Sequence, residues 1–146
     1  MTNGPLAPLI SSSVHGPLGI KHLPRLWLKL RLYAAGLLPE GYRHGVGGFD
    51  EMLAVKLGMD RDAFIAYVEN ERPSYPQLED WVRAHAANLD DETIAAINAR
   101  IAATEMPDEL RRERVARLNI TDPSYTNAVA INDLDDWDAI HRALAR

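Results

Sequence analysis

The sequence contains no cysteine among its 146 residues. This absence excludes disulfide scaffolds, thiolate nucleophiles, iron–sulfur clusters and cysteine-based zinc sites. No apolar run is long enough to span a membrane, and the first residues lack the charged region of a signal peptide. We therefore expect a cytoplasmic protein without a membrane partner.

Acidic residues are scarce near the start of the chain, so that part alone has a net positive charge. Residues 1–47 carry five Lys or Arg and one acidic residue, a net charge of +4. Residues 48–146 carry eleven Lys or Arg and twenty Asp or Glu, a net charge of −9. An acidic chain without a basic face binds nucleic acids poorly, so no nucleic-acid partner is expected. The early group of cations is large enough to hold one small anion.

Hydrophobic residues make up 47% of the chain and charged residues 25%, which is typical of a globular domain. Their spacing is that of short helices, and no segment alternates strictly. The pattern predicts an all-α fold, a compact single domain of six or seven short helices. We expect an extended N-terminal arm over residues 1–20, a helical domain over 21–119 and a C-terminal extension with one helix over 120–146.

The start of that last helix is predicted from its polar residues. Asn132 or Asp133 is expected to begin it, after an irregular segment over residues 123–132. Within that segment, only residues 128–131 resemble a strand. Trp137 shares a helical face with apolar neighbours and is expected to lie in the core.

A helix predicted over residues 23–35 is apolar nearly all round. On a helical wheel its polar side chains share one arc of about 80°, and only Arg31 interrupts the rest. The arc holds His22, Arg25, Lys29 and Tyr33. This polar stripe faces either solvent through a slot or an internal pocket. Burying two cations one turn apart is costly without an anion, which Asp50, Glu51 or a bound ligand would supply.

A glycine-rich loop over residues 41–50 follows this helix. It carries Tyr42, Arg43 and His44 beside four glycines and leads into a helix start. Glycines let the backbone approach a ligand closely, and a helix N-terminus favours an anion. A flexible surface loop is the alternative interpretation. The loop lacks the fingerprints of phosphate-binding and dinucleotide-binding motifs.

Metal and hydrolase signatures are both missing from the sequence. Only the scattered His22, His44 and Asp50 could ligate a metal, and their spacing matches no metal motif. Neither a metal nor a cofactor is therefore expected. The serine run at residues 11–13, with His15 nearby, lacks the nucleophile elbow of a hydrolase.

The leading hypothesis is a cofactor-independent enzyme of the lyase or isomerase type, which uses acid–base chemistry on a small anionic or phenolic substrate. Elimination, isomerisation and loss of formaldehyde by carbon–carbon cleavage are the candidate reactions. His44 or His22 would act as the general base, oriented by Asp50. The candidate catalytic residues are Lys29, Tyr42, His44 and His22. The candidate substrate-binding residues are Arg25, Arg31, Tyr33, Arg43 and Asp50.

The cations have an expected role in this chemistry. Lys29 and Arg25 would hold the negative charge that develops, or Lys29 would form a Schiff base. Tyr42 or Tyr33 would shuttle a proton, with its pKa lowered by these cations. Replacing Lys29 by methionine is then expected to abolish turnover with little change in melting temperature.

The alternative hypothesis is a non-enzymatic helical module for binding or dimerisation. The proline-rich arm and the C-terminal extension would then pack on a second subunit, most simply in a two-fold homodimer. Enclosure of the candidate residues in one concavity favours the enzyme, whereas side chains that splay into water favour the module.

Several short sequence blocks occur in a fixed order along the chain. They are His22-Leu23-Pro24-Arg25, Lys29-Leu30-Arg31, Ala35-Gly36-Leu37-Leu38-Pro39, Tyr42, Phe49-Asp50, Leu57-Gly58-Met59-Asp60 and Leu78-Glu79-Asp80-Trp81-Val82-Arg83. Together they resemble the bacterial domain of unknown function family 5069 over residues 16–119. The resemblance implies a small, mostly helical domain and no established reaction. Residues 120–146 look like an added tail outside it.

Overall fold

The computed structural model describes residues 4–145, and this part of the chain contains seven α-helices and no β-strand. The prediction of an all-α single domain is confirmed. The helices are α1 (Leu23–Ala34), α2 (Gly48–Leu57), α3 (Arg61–Glu71), α4 (Tyr75–His85), α5 (Asp91–Ala103), α6 (Asp108–Arg117) and α7 (Ala128–Leu144). None of these helices is long and apolar enough to cross a membrane.

Local signals start most of the helices. Asp60 and Asp90 cap α3 and α5 by accepting hydrogen bonds from backbone N–H groups three residues later. Ser74 and Gln77 form a reciprocal capping box at the start of α4. Because each cap satisfies backbone donors that have no partner inside the helix, these short helices begin at defined residues.

The hydrophobic core surrounds α1, which packs against α3 and α4. Leu23, Leu26 and Leu30 of α1 are at most 1% exposed. They meet the apolar side chains of Leu53, Leu57, Phe64, Val68, Leu78, Val82, Ile97 and Ile101. Burying each such side chain contributes about 1.5–3 kcal/mol, so α1 is firmly held, and the polar side chains on its other face have a rigid support.

The C-terminal helix begins earlier than the sequence indicates. The Asn127 side chain accepts a hydrogen bond from the Ala130 backbone N–H at 3.0 Å, and this cap starts α7 at Ala128. The expected start at Asn132 or Asp133 is therefore wrong, and the strand-like residues 128–131 form the first turn of the helix.

Trp137 is also misplaced by the sequence-based prediction. It is 60% exposed, whereas its neighbour Asp136 is 3% exposed. Asp136 lies on the side of α7 that faces the interior, where its carboxylate pairs with the buried Arg25 of α1. The ion pair with α1 and the burial of Val129 and Ile131 together orient α7.

The N-terminal arm lies along the same chain's helices. Its described part, residues 4–20, contains turns but no helix and no strand. The Arg25 side chain donates hydrogen bonds to the carbonyl oxygens of Pro8 and Ile10 at 2.8 and 2.9 Å. The arm is therefore attached to α1. That the arm and the C-terminal extension also join two subunits stays a prediction.

Candidate functional site

A cavity of about 790 Å³ lies between α1, the loop before α2, α6 and α7. We call it the central cavity. Its wall includes His22, Arg25, Lys29, Tyr42, Arg43, Phe49, Asp50, Met106, Leu110, Arg114, Arg117 and Asp136. Most of these side chains are polar or charged, and Phe49, Met106 and Leu110 add an apolar part. The cavity therefore offers both charge and apolar surface to a small molecule.

Four buried polar side chains form a continuous cluster at the wall of the cavity, which we call the His22 cluster. They are Ser12, His22, Lys29 and Asp50, and each is at most 5% exposed. Ser12 Oγ lies 2.8 Å from His22 Nδ1, and His22 Nε2 lies 2.6 Å from Asp50 Oδ1. Lys29 Nζ donates to both carboxylate oxygens of Asp50 at 2.8 Å.

The protonation state of His22 follows from its surroundings. Burial lowers the pKa of His22 below its ordinary value of 6.5, and the Asp50 carboxylate, which raises it, offsets only part of this effect. The ring is therefore neutral at pH 7. Because a carboxylate only accepts, the proton sits on Nε2, and Nδ1 accepts from the Ser12 hydroxyl. Both ring nitrogens are thus engaged.

Asp50 is the anion that holds the His22 cluster together. Burial alone would raise its pKa, but the hydrogen bond from His22 and the charge of Lys29 outweigh burial and hold the pKa of Asp50 at about 2. Burial also lowers the pKa of Lys29, although the contacts with Asp50 oppose this shift. Because Lys29 is paired inside the protein, Lys29→Met would also destabilise the fold. The structure therefore revises the expectation for this variant to a lower melting temperature, which thermal unfolding of Lys29→Met would measure.

Two unusual backbone conformations place these side chains. His22 precedes α1 with a φ of 73°, a left-handed conformation that costs about 1–2 kcal/mol for most residues. Gly45 has a φ of 104° and donates its N–H to Asp50 Oδ2 at 2.9 Å. A Cβ at this glycine would lie 2.5 Å from Ile65, so both space and conformation require glycine there.

A second buried cluster joins three parts of the chain, and we call it the Arg25 cluster. Arg25 Nη1 lies 2.6 Å from Asp136 Oδ2, and Tyr42 donates its hydroxyl to Asp136 Oδ1 at 2.8 Å. Burial and this hydrogen bond raise the pKa of Tyr42 above its ordinary value of 10.0. The expectation that cations lower the Tyr42 pKa is therefore wrong, because the nearest charge is a carboxylate. Tyr42 remains a proton donor to Asp136.

Further arginines surround the cavity. Arg114 and Arg117 of α6 pair with Asp135 of α7 at 3.3 and 2.9 Å. Arg43 differs, since no carboxylate within residues 4–145 lies within 4.0 Å of its guanidinium. Its Nη1 lies within 3 Å of the positions that Cβ atoms would take at residues 47 and 48, so a larger residue there would displace the guanidinium. Arg43 is thus a cation of the cavity wall without an ion-pair partner in this part of the chain.

The structure brings together most of the residues singled out from the sequence, but not all of them. Those that line the central cavity are His22, Arg25, Lys29, Tyr42, Arg43 and Asp50. Arg31, Tyr33 and His44 do not. Arg31 donates instead to the carbonyl oxygens of Arg72 and Pro73, at 3.0 and 2.7 Å.

Tyr33 and His44 stack on each other outside the cavity. Their ring centroids lie 3.8 Å apart, and Tyr33 is 47% exposed. The helical wheel places Tyr33 on the same stripe as Lys29, but it ignores that Tyr33 lies about 6 Å further along the axis. Because His44 stacks on Tyr33, neither side chain reaches the buried carboxylates.

Sequence reasoning missed Ser12 and Asp136. Ser12 lies in an arm without periodicity, and no local pattern distinguishes it from the serines on either side. Asp136 is separated from Arg25 by 111 residues. The signal available was indirect: a buried Arg25 requires a carboxylate, and the first third of the chain offers only Glu40.

The buried cations of α1 are already neutralised by the protein itself. Lys29 pairs with Asp50, as one of the expected alternatives states, and Arg25 pairs with Asp136. Glu51, the other expected partner, pairs instead with Arg61 near the surface. A bound anion is therefore not needed to compensate Arg25 or Lys29, and the volume of the cavity remains open beside them.

Comparison with known proteins and protein families identifies the family of this chain. No curated protein matches the chain, but the family described as Domain of unknown function (DUF5069) matches residues 9–139. The match extends beyond residues 16–119, the part over which the sequence blocks resemble the family, and it includes both Ser12 and Asp136. Most of the C-terminal extension is therefore not an added tail outside the family. Because the match spans most of its length, the chain belongs to the DUF5069 family.

Proposed function

We propose that this protein is a cofactor-independent enzyme that binds a small anionic or phenolic compound in the central cavity and acts on it by proton transfer. The observation that carries the proposal is the hydrogen-bonded chain from Ser12 through a neutral His22 to Asp50 at the cavity wall. A volume of about 790 Å³ falls in the range of small-molecule sites.

His22 is the base in this proposal, and Asp50 orients it. Because both ring nitrogens are engaged, a substrate proton reaches Nδ1 through the Ser12 hydroxyl, whose own proton passes to the ring. The imidazolium that forms lies against the Asp50 carboxylate, which stabilises it. Of the two candidate bases, His22 is favoured, because His44 lies outside the cavity.

The cavity wall supports a substrate with one charged and one apolar end. Arg43 has no ion-pair partner among residues 4–145 and can bind a carboxylate or phenolate. Phe49, Met106 and Leu110 can cover an aromatic ring or an alkyl chain. Elimination and isomerisation remove a carbon-bound proton beside a group that stabilises negative charge. Loss of formaldehyde removes the hydroxymethyl O–H proton, and the charge develops on carbon as the carbon–carbon bond breaks and is then protonated. All three need a base and a group that stabilises negative charge, so they suit this arrangement.

Proton transfer can be tested without knowing the natural substrate. The protein is incubated in D₂O with simple carboxylates and 4-hydroxyphenyl compounds, some with a hydroxymethyl side chain, and ¹H NMR follows each compound. We expect at least one compound to exchange a carbon-bound proton, or to release formaldehyde, faster than it does without protein. The absence of exchange and product across the panel would contradict the proposal.

A second candidate function is the dimerisation module, and exposed apolar side chains of α7 and the arm favour it. Trp137 is 60% exposed, Leu144 80% and Leu9 55%, and aromatic side chains are enriched at protein interfaces. If this candidate holds, sedimentation velocity will show a dimer that Trp137→Ser dissociates. A monomer at every concentration tested would exclude it. A dimer and an enzyme are compatible.

A further inference from the structure

The His22 cluster contains a hydroxyl, an imidazole and a carboxylate in series. Ser12 Oγ is 2.8 Å from His22 Nδ1, and His22 Nε2 is 2.6 Å from Asp50 Oδ1. A nucleophile within hydrogen-bond reach of a base, with a third group that orients the base, is the geometry that activates serine. Such triads are recognised by geometry and roles rather than by sequence spacing.

The hydrogen bonds of the His22 imidazole determine which ring nitrogen carries the proton. Asp50 accepts the Nε2 proton, so the lone pair of the neutral ring is on Nδ1, where it meets the Ser12 hydroxyl. Whichever nitrogen lacks the proton acts as the base. His22 is therefore set to remove the proton of Ser12 as that oxygen attacks an electrophile.

Ser12 is distinct from the two serines beside it. It is 2% exposed and lines the central cavity, so only a molecule that enters the cavity meets its hydroxyl. Ser11 instead hydrogen-bonds to Asp133 and to Ser13, outside the cluster. The single serine on the cavity wall is thus the one that His22 contacts.

Lys29, which pairs with Asp50 at the other end of the series, supplies a further donor. An ammonium group has three N–H donors, and the two oxygens of Asp50 account for two of them. Lys29 also lines the cavity. Its third N–H has no acceptor within residues 4–145 and can stabilise negative charge on an oxygen of a bound substrate.

We propose that Ser12 is a nucleophile and that the central cavity carries an acyl-transfer activity toward small aryl esters, which goes beyond proton transfer. Ser12 Oγ attacks the ester carbon, and its proton passes to His22 Nδ1. The phenolate leaves as the tetrahedral intermediate collapses, takes that proton, and an acyl group remains on Ser12. Water then attacks the acyl carbon and gives its proton to His22. The acid departs, and the proton returns to Ser12.

Covalent capture tests this inference on the wild-type chain. Diisopropyl fluorophosphate is small enough for the cavity, and serine attack on phosphorus releases fluoride. We expect one stoichiometric adduct in the intact mass, which tandem mass spectrometry places on Ser12, and a one-equivalent burst of 4-nitrophenolate from 4-nitrophenyl acetate. A folded wild-type chain that stays unlabelled in excess reagent, or carries its adduct elsewhere, would overturn the inference.

Matched variants show whether His22 activates Ser12 or whether the reagent labels any accessible serine. Ser13→Ala should label as the wild type does, and Ser12→Ala should not label. His22→Asn keeps Ser12 but should slow labelling by about 10²–10⁴-fold, the usual contribution of a general base. Equal labelling rates in wild type and His22→Asn would also contradict the inference. Deuterium exchange without labelling would leave the proton-transfer proposal standing and remove this one.

Discussion

Replacing Asp50 by asparagine is expected to lower the free energy of unfolding by about 3–5 kcal/mol, the usual cost of removing one partner from a buried ion pair. Asp50 is 2% exposed and accepts hydrogen bonds from His22, Lys29 and the Gly45 backbone. The asparagine variant leaves the Lys29 ammonium buried without a carboxylate. It also weakens the acceptor that fixes the His22 ring. Urea unfolding at neutral pH measures the loss.

The neighbouring residue provides the control for this prediction. Glu51 pairs with Arg61 at 2.6 Å, but both side chains are about 40% exposed, so water already solvates the pair. Glu51→Gln should therefore cost much less than Asp50→Asn. Equal losses in the two variants would mean that the buried cluster does not stabilise the fold as described.

Acid pH gives a second measure of the same contacts. The pKa of Asp50 is about 2 in the folded protein, against an ordinary 3.8, so its carboxylate binds protons less readily when folded. The resulting stabilisation is fully present above pH 3.8 and is lost as the pH falls toward about 2. The stability difference between wild type and Asp50→Asn should narrow over this interval. A constant difference would contradict the assigned pKa.

Replacing Arg25 by methionine is expected to cost about 3–5 kcal/mol and to loosen the N-terminal arm. The change leaves the Asp136 carboxylate, 3% exposed, with Tyr42 as its remaining donor. It also removes the hydrogen bonds that Arg25 donates to the carbonyl oxygens of Pro8 and Ile10. Loss of each of these hydrogen bonds is destabilising. Urea unfolding should show the lower stability, and amide hydrogen exchange should accelerate in the arm.

Arg31 provides a matched control on the same helix. It also donates to two backbone carbonyl oxygens, but residues 4–145 offer it no carboxylate partner, and it is half-buried. Arg31→Met should cost about 1 kcal/mol, the net value of an ordinary hydrogen bond, and should leave exchange in the arm unchanged. If both variants lost the same stability, the Arg25 cluster would not connect the arm to α7.

The sequence predicts the helices well wherever a local signal decides them. The apolar spacing of α1 and the Ser74 capping box depend only on neighbours within a few residues, so they are readable directly. The start of α7 was missed because four small or branched residues after Asn127 look like a strand. The Asn127 cap starts the helix there, and Val129 and Ile131 are buried in the folded protein.

The candidate site could be predicted only in part, and distance along the chain explains why. His22, Arg25 and Lys29 share one face of one helix, so a helical wheel groups them. Ser12 and Asp136 reach the site from an arm and from the last helix, and no local pattern reports such contacts. The raised pKa of Tyr42 follows from its burial and from its hydrogen bond to Asp136, and no local sequence pattern reports either.

The most direct test of the proposed enzyme compares two histidines in the D₂O exchange assay. His22 lies in the buried cluster at the cavity wall, whereas His44 stacks on Tyr33 outside it. His22→Asn suits the left-handed backbone at residue 22, because asparagine tolerates that conformation. We expect His22→Asn to abolish exchange of the active compound and His44→Asn to retain it. Exchange that survives His22→Asn, or that only His44→Asn removes, would contradict the assignment of His22 as the base.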